Sequence, residues 1–394
     1  MIFINVIKAF KYRIYPNLIQ TDLINKHIGS CRFVYNLVFE VKQSVYAGNI
    51  VNLYCFDLIK QLPELKKECI WLKEINSQSL QQSINNLDTS FTKFFKGQAD
   101  FPKFKKKSSK QSFCVPQNVS IEGGKLYLPK FKKGIDIILH RPFDGNIKQA
   151  TVSKTSTQKY YVSILCETDY NNPDKEEIEI NSTIGIDLGI KSFLVTSDEQ
   201  EFANPKFLKQ SLSKLKYLQR KYSKNSGKRV KHRLATMHEK TANQRKDFLH
   251  KISTKLIREN QSLAIENLNI KGMVKNHCLA QSISDTGWGL FVTMLEYKAD
   301  WYGKNILKIG RFEPSSKTCS CCGHINKDLT LKDREWTCII CNTNLNRDVN
   351  AAVNIKNFSL RNHSSGEHRL KNQNELPTLV GVMTSESHLL NTNG

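Results

Sequence analysis

Apolar positions recur along the chain with two alternating periods, and the switches between them divide it into elements. Residues 4 to 15 alternate as a strand would and stop at Pro16, after which Asn17 can cap a helix carrying Leu23, Ile24, Ile28, Phe33 and Val34. Helical spacing continues to about Phe95. Between residues 75 and 95 it gathers Leu80, Ile84, Leu87, Phe91 and Phe94 on one face and leaves Gln78, Gln81, Gln82 and Asn85 more exposed. Short alternating runs at 125 to 128, 135 to 139 and 160 to 165, separated by Gly, Pro and Asn, predict a small antiparallel barrel or sandwich.

An acidic, Asn-rich link at 170 to 181 precedes a second domain, which opens at 184 to 197 with two strands around a Gly189 turn. Residues 205 to 260 are long, basic and helical, with Leu208, Leu212, Leu215 and Leu218 in register and a break within 224 to 233; they predict a helical hairpin inserted between strands. Strand character returns at 263 to 265 and again at 306 to 309. Between these, Trp288, Phe291, Met294, Leu295 and Ala299 mark an amphipathic helix. A final helix is predicted at 346 to 358, and the Ser-, Asn- and His-rich tail after it offers little to bury. The fold class expected is α/β plus α+β, in several domains.

Charge narrows the partner. Among 394 residues, 59 Lys+Arg against 36 Asp+Glu leave a formal +23, which calls for a polyanion but fits nucleic acid, ribosomal RNA or an anionic membrane equally. No run of about 18 apolar residues offers a membrane span, and the first residues lack the pattern of a secretory signal, so a cytoplasmic protein is expected. In GQADFPKFKKKSSK, residues 97 to 110, Phe101 and Phe104 interleave with lysines, a composition suited to stacking on bases and gripping phosphates; a solvated loop has the same composition.

Six of the eleven cysteines stand alone, and five crowd between 319 and 341. Cys319 and Cys322, then Cys338 and Cys341, are each two residues apart, with fifteen residues between the pairs, which is the ligand spacing of a four-cysteine zinc ribbon. Knuckles of this kind need a residue tolerant of positive φ after the second cysteine, and Gly323 and Asn342 stand there. Four thiolates leave no open position for water, so the zinc is expected to be structural and Cys321 a spare thiol.

Three carboxylates stand where apolar runs end. Asp187 lies in TIGIDLGIKSF, Glu266 closes SLAIE, and Asp348 sits in the first turn of NRDVNAAVNI. Each alone has an ordinary explanation as a turn, a strand end or a complement to a helix dipole. Together they follow the order of RNase H-like, RuvC-type nucleases, in which acids from separate elements converge to hold two divalent cations.

On these residues the chain resembles the TnpB family, transposon-encoded RNA-guided nucleases similar to the smaller type V CRISPR effectors. The resemblance runs through KYRIYPNLIQ, RFVYN and FPKFKKKSSKQSF in the first half, then GIDLGIKSF, NPKFL, DFLHKIS, IENLNIKGM, SDTGWGLF, SSKTCSCCGH, DREWTCIICN and NRDVNAAVNI. It implies a wedge-like β-barrel at 1–16 and 97–180 split by a helical recognition insert at 17–96. A RuvC-like part follows at 181–310 with the basic insertion 205–260, then a zinc ribbon at 311–345, a last RuvC helix at 346–358 and a disordered tail at 359–394.

The resemblance further implies a guide RNA from the transposon end, a double-stranded DNA target read beside a short flanking motif, and two Mg²⁺ ions held by Asp187, Glu266 and Asp348, besides one structural Zn²⁺. Arg32, Gln82, Lys103, Lys105, Arg220 and Arg245 fall in stretches it assigns to nucleic-acid contact. Asn346 stands where many relatives have Asp, and Cys321 replaces a commoner polar residue; neither touches the three acids. Two other functions share these features: a nuclease or transposase that binds element ends without RNA, and an RNA-directed DNA-binding protein whose acids do no chemistry.

Overall fold

The computed structural model describes residues 6–47, 53–168, 172–330 and 332–373. The chain divides after residue 171 into two compact units. The first contains β1 (Val6–Tyr15), α1 (Leu18–Ala47), α2 (Cys55–Lys60), α3 (Leu62–Glu68), a 3₁₀ turn (Ile70–Glu74), α4 (Ser77–Phe95), β2 (Gln111–Val115), β3 (Ser120–Glu122), β4 (Lys125–Tyr127), β5 (Ile135–Ile138), β6 (Asn146–Lys154) and β7 (Tyr160–Thr168). Asn17 caps α1 reciprocally: its Oδ1 accepts from the Gln20 amide at 2.9 Å, and Gln20 Oε1 accepts from the Asn17 amide at 3.0 Å.

The strands form one antiparallel sheet in the order β2-β6-β7-β1-β5-β4-β3. The expected barrel is thus an open half-barrel. Strands β3 and β4 have only three residues each, too short to carry the sheet round to β2, so β2 and β3 remain edges. Ile24, Val34 and Phe39 of α1 and Leu80, Ile84 and Leu87 of α4 share one core with Val115, Val152 and Ile164 of the sheet.

The second unit contains β8 (Thr183–Leu188), β9 (Ser192–Thr196), β10 (Glu201–Ala203), α5 (Phe207–Lys224), α6 (Lys228–Glu259), β11 (Ser262–Ile265), α7 (Ile270–Met273), α8 (His277–Thr286), α9 (Trp288–Trp301), β12 (Asn305–Lys308), β13 (Glu335–Thr337), β14 (Asn344–Asn346) and α10 (Arg347–Gln373). Its main sheet runs β10-β9-β8-β11-β12, antiparallel across the first three strands and parallel from β8 through β12. This is an RNase H-like α/β arrangement. On one face Ile184, Ile186 and Leu188 meet Leu249 and Leu256 of α6 and Phe291 and Leu295 of α9; on the other, Ala264 and Ile309 meet Ile355 of α10.

One helix boundary falls inside its expected span and one differs from expectation. The hairpin breaks over only 225 to 227, because Asn225 Oδ1 accepts from the Gly227 amide and the Gly227 carbonyl already receives Val230 and Lys231, so α6 starts at once. The last helix runs to Gln373 instead of ending at 358. Ser359 is buried, and Asn362 donates to Glu313 Oε1 on a neighbouring loop at 2.8 Å, a contact that composition does not reveal. Residues 374–394 of the expected tail lie outside the described residues. No helix among the described residues is long and apolar enough to cross a membrane.

Gly185 sets how closely α10 approaches the sheet. A Cβ there would stand 1.9 Å from the Ala352 carbonyl oxygen and 2.9 Å from the Lys356 amide nitrogen. Gly185→Ala is therefore expected to push α10 off β8 and cost about 1–3 kcal/mol, read as a lower midpoint in denaturant unfolding; an unchanged midpoint would refute this packing.

Candidate active site

The positions of the three acids follow from strand and helix periodicity. Along β8, Gly185 and Asp187 share a face, and Gly185 faces Ala352. One helical turn back from Ala352 lies Asp348, so the first turn of α10 comes over Asp187. Strand β11 lies parallel to β8 with Ile265 opposite Ile186, and Glu266 is the next residue, two beyond Ala264 on the α10 side. Sequence neighbours in neither sense, the three carboxylates are brought together by the sheet and one helix.

The electrostatics agree. Burial, then the charges of Glu266 and Asp348, push the Asp187 carboxyl up to about 8, while Arg347 and Arg334 oppose the shift. Part of Asp187 keeps some exposure, so its carboxyl is enclosed without being sealed. Asp348 is held by Arg334 Nη1, which donates to its two carboxylate oxygens at 3.1 and 3.2 Å, and the amides of Asp348 and Val349 donate to Asn346 Oδ1. Asn346 is thus the cap of α10, a task Asn performs as well as Asp. Glu266 Oε1 accepts from Ser315 Oγ at 2.7 Å. An all-oxygen set of acids, one of them held protonated above its usual range by burial and by the charges of the other two, has the chemistry of a site for hard divalent cations.

The four cysteine sulfurs Cys319, Cys322, Cys338 and Cys341 lie within 4.8 Å of one another, with Cys319 and Cys341 at 3.6 Å and Cys322 and Cys338 at 3.5 Å. Those separations match the edges of a tetrahedron with metal–sulfur bonds of about 2.3 Å. Gly323 at φ +79° and Asn342 at φ +54° return their amides to the Cys319 and Cys338 carbonyls, so both knuckles form as expected. Thr343, through its hydroxyl and amide, lowers the pKa of the Cys341 thiol and the Cys341 amide lowers that of Cys338, while burial raises that of Cys319, so the four sulfurs share their protons unevenly. Cys321 is exposed.

The residues expected to touch nucleic acid separate. Arg32, Gln82 and Lys105 line one polar cavity of about 270 Å³ in the first unit, with Lys106, Lys110 and Gln111; Arg32 donates to Gln111 Oε1 at 3.1 Å. Lys105 Nζ lies 3.7 Å from the Tyr35 ring centre, and burial lowers its pKa. Lys103 and Arg220 are exposed on a loop and on α5. Arg245 is engaged within its own unit: it donates to the Asp285 carbonyl at 2.6 Å and carboxylate at 2.8 Å, and that carboxylate also receives the Leu208 amide. Sequence reasoning missed Arg334, Ser315, Asn350 and Asn354; only the last two carry a signal, as an i, i+4 polar pair among alanines.

A family profile described as "Probable transposase" matches residues 163–277, a Cas12f1-like TNB domain profile matches 288–355, and a helix-turn-helix domain profile matches 1–50. A Streptomyces pristinaespiralis protein named "Putative RNA-guided DNA endonuclease" is 35% identical over 91% of each chain. An Escherichia coli K12 protein of the same name with the suffix InsQ is 31% identical over 89% of this chain and 91% of its own. Among solved structures, Cas12f1 in its complex with sgRNA and target DNA superposes with a TM-score of 0.55 at 13% identity, covering 89% of this chain and 99% of that one.

Proposed function

The chain belongs to the TnpB family of transposon-encoded RNA-guided DNA endonucleases, and we propose that it cuts guide-complementary DNA, beside a short flanking motif, at a site made by Asp187, Glu266 and Asp348. The observation that carries this reading is the enclosed Asp187 carboxyl beside two further acids at the meeting of β8, β11 and α10. Two Mg²⁺ ions held there would supply an activated water and neutralise charge on the leaving oxygen. The chain's own part is to fix the ligands. Asp187 is set by the β8 backbone, Asp348 by the capped first turn of α10, and Glu266 by the end of β11.

Arg334 is placed to balance charge at the rim of this site, since its guanidinium already lies on Asp348. The four cysteines would hold a structural Zn²⁺, which would keep Arg334, the residue before β13, in that place. A guide RNA from the transposon end and a double-stranded DNA target are the partners, met by a chain of formal charge +23. The polar cavity with Arg32, Gln82 and Lys105 is one candidate contact, and Lys103 and Arg220 are free to make others.

The helix-turn-helix match favours a second reading, direct binding of element ends without RNA. In its described part that segment is β1 and one uninterrupted 30-residue helix, a poor match to two helices joined by a turn. Expressing the gene with its downstream flanking DNA and sequencing the RNA that copurifies separates the two. A discrete RNA ending in variable sequence, which then directs Mg²⁺-dependent cleavage of matching DNA, is expected; random cellular RNA alone would replace this reading with the direct one.

A further inference from the structure

The loop between β12 and the first zinc knuckle is more tightly fastened than a connector needs to be. The Ser315 amide donates to the Glu313 carbonyl at 2.8 Å, and the Lys317 and Thr318 amides and the Thr318 hydroxyl all donate to the Pro314 carbonyl. On α10, Asn350 and Asn354 stand one turn apart and are buried to 1% and 2% exposure. Their side-chain amides donate to the Thr318 carbonyl at 2.7 and 2.6 Å; Asn354 also donates to the Ser315 carbonyl at 2.8 Å, and Asn350 Oδ1 accepts from the Ser320 amide at 2.8 Å. The turn is fixed at both ends, so the buried Ser315 hydroxyl has one place to go, and that place is Glu266 Oε1.

We propose that Ser315, held by Asn354, is a positioning residue for Glu266, so that α10 aligns all three acids from one rigid body. It carries Asp348 itself, meets Asp187 through the close contact of Ala352 with Gly185, and reaches Glu266 through Asn354 and Ser315. A hydrogen bond that occupies Oε1 leaves Oε2 free as a single-oxygen ligand and stops the carboxylate from rotating, the task outer partners perform in other metal sites. Because the same asparagines grip residues 318 and 320, on either side of Cys319, the zinc knuckle and Glu266 also share one clamp. This inference rests on the acids being the metal site proposed above.

The test is direct metal binding, which needs neither guide nor target. Mn²⁺ as probe is titrated calorimetrically into the full-length protein, as wild type, Ser315→Ala, Ser315→Thr and Glu266→Gln, with zinc content and thermal midpoint measured on each. Ser315→Ala is expected to weaken Mn²⁺ binding about 10-fold at wild-type zinc content and midpoint, with Ser315→Thr close to wild type because it keeps the hydroxyl. In cleavage the same variant is expected to need about 10-fold more Mg²⁺ and to recover most of its rate at saturation. Unchanged Mn²⁺ affinity in Ser315→Ala, or a loss that appears only together with lost zinc or a lowered midpoint, overturns the role. If wild type and Glu266→Gln bind Mn²⁺ alike, the metal-site reading beneath it falls instead.

Discussion

Replacing Asp187 by Asn is expected to lower Mg²⁺-dependent cleavage on the order of 10³-fold and, at the same time, to stabilise the Mg²⁺-free protein at alkaline pH. The two effects have one cause. Asp187 is enclosed by protein, with Glu266 and Asp348 beside it, so its carboxyl is held up to about 8 against an ordinary 3.8. Below pH 4 it is protonated in both folded and unfolded chains and contributes no difference. As pH rises from 4 to 8 the unfolded chain gives up this proton before the folded one does, so stability without metal falls across that window and levels off above it.

Asn, which carries no charge, removes that dependence. Allowing for the residual solvent access of Asp187, the variant should exceed wild type by about 2 kcal/mol at pH 8.5 and match it at pH 4. Thermal unfolding in Mg²⁺-free buffer, without a chelator that would also strip the cysteine site, measures this. Adding Mg²⁺ should reverse the order, because only wild type gains from binding. Curves that run parallel from pH 4 to 9 would sink the argument, as would a variant that still cleaves.

Much of this arrangement was legible in the sequence, and the physical reasons differ by element. The cysteine knuckles were readable because metal geometry fixes their spacing and the backbone demands Gly323 and Asn342 in place. The acids were nominated because a carboxylate at the end of an apolar run is costly without a partner, but their convergence rests on Gly185, whose small size matters only once α10 lies on it. Arg334 and Ser315 were invisible for the same reason: each is an ordinary polar residue whose partner stands 14 or 49 positions away. The half-barrel read as closed because alternation shows which face is buried and says nothing of whether two edges meet. The bond of Arg245 to Asp285, 40 residues distant, likewise has no sign in the sequence.

Loss of the zinc is expected to have the other large effect, and to act at the acids from a distance. The module's core is small: buried Cys319, Leu329, Trp336 and Cys338, with Cys341 and Leu345 against them, around two strands of three residues each. A two-stranded sheet of that size does not hold itself, and two of its four core residues are the proposed ligands, so a metal there would supply the fold, as in other small zinc modules where it contributes roughly 10–16 kcal/mol. In Cys338→Ser the segment from 319 to 346 should therefore loosen while β8, β9 and β11 stay packed on α6 and α9, whose core contains none of its residues. Arg334 would leave Asp348, and the clamp on Ser320 would slacken. Cleavage should fall about 10- to 100-fold, the range for losing outer support of a metal site. Hydrogen exchange locates the effect: faster exchange confined to 319–346, with one zinc per chain in wild type and less in the variant. Unchanged protection there, together with wild-type cleavage, would show that the cysteines do not hold the module; loosening that spreads through β8 and β11 would show that the zinc supports the whole second unit and not the rim of its site.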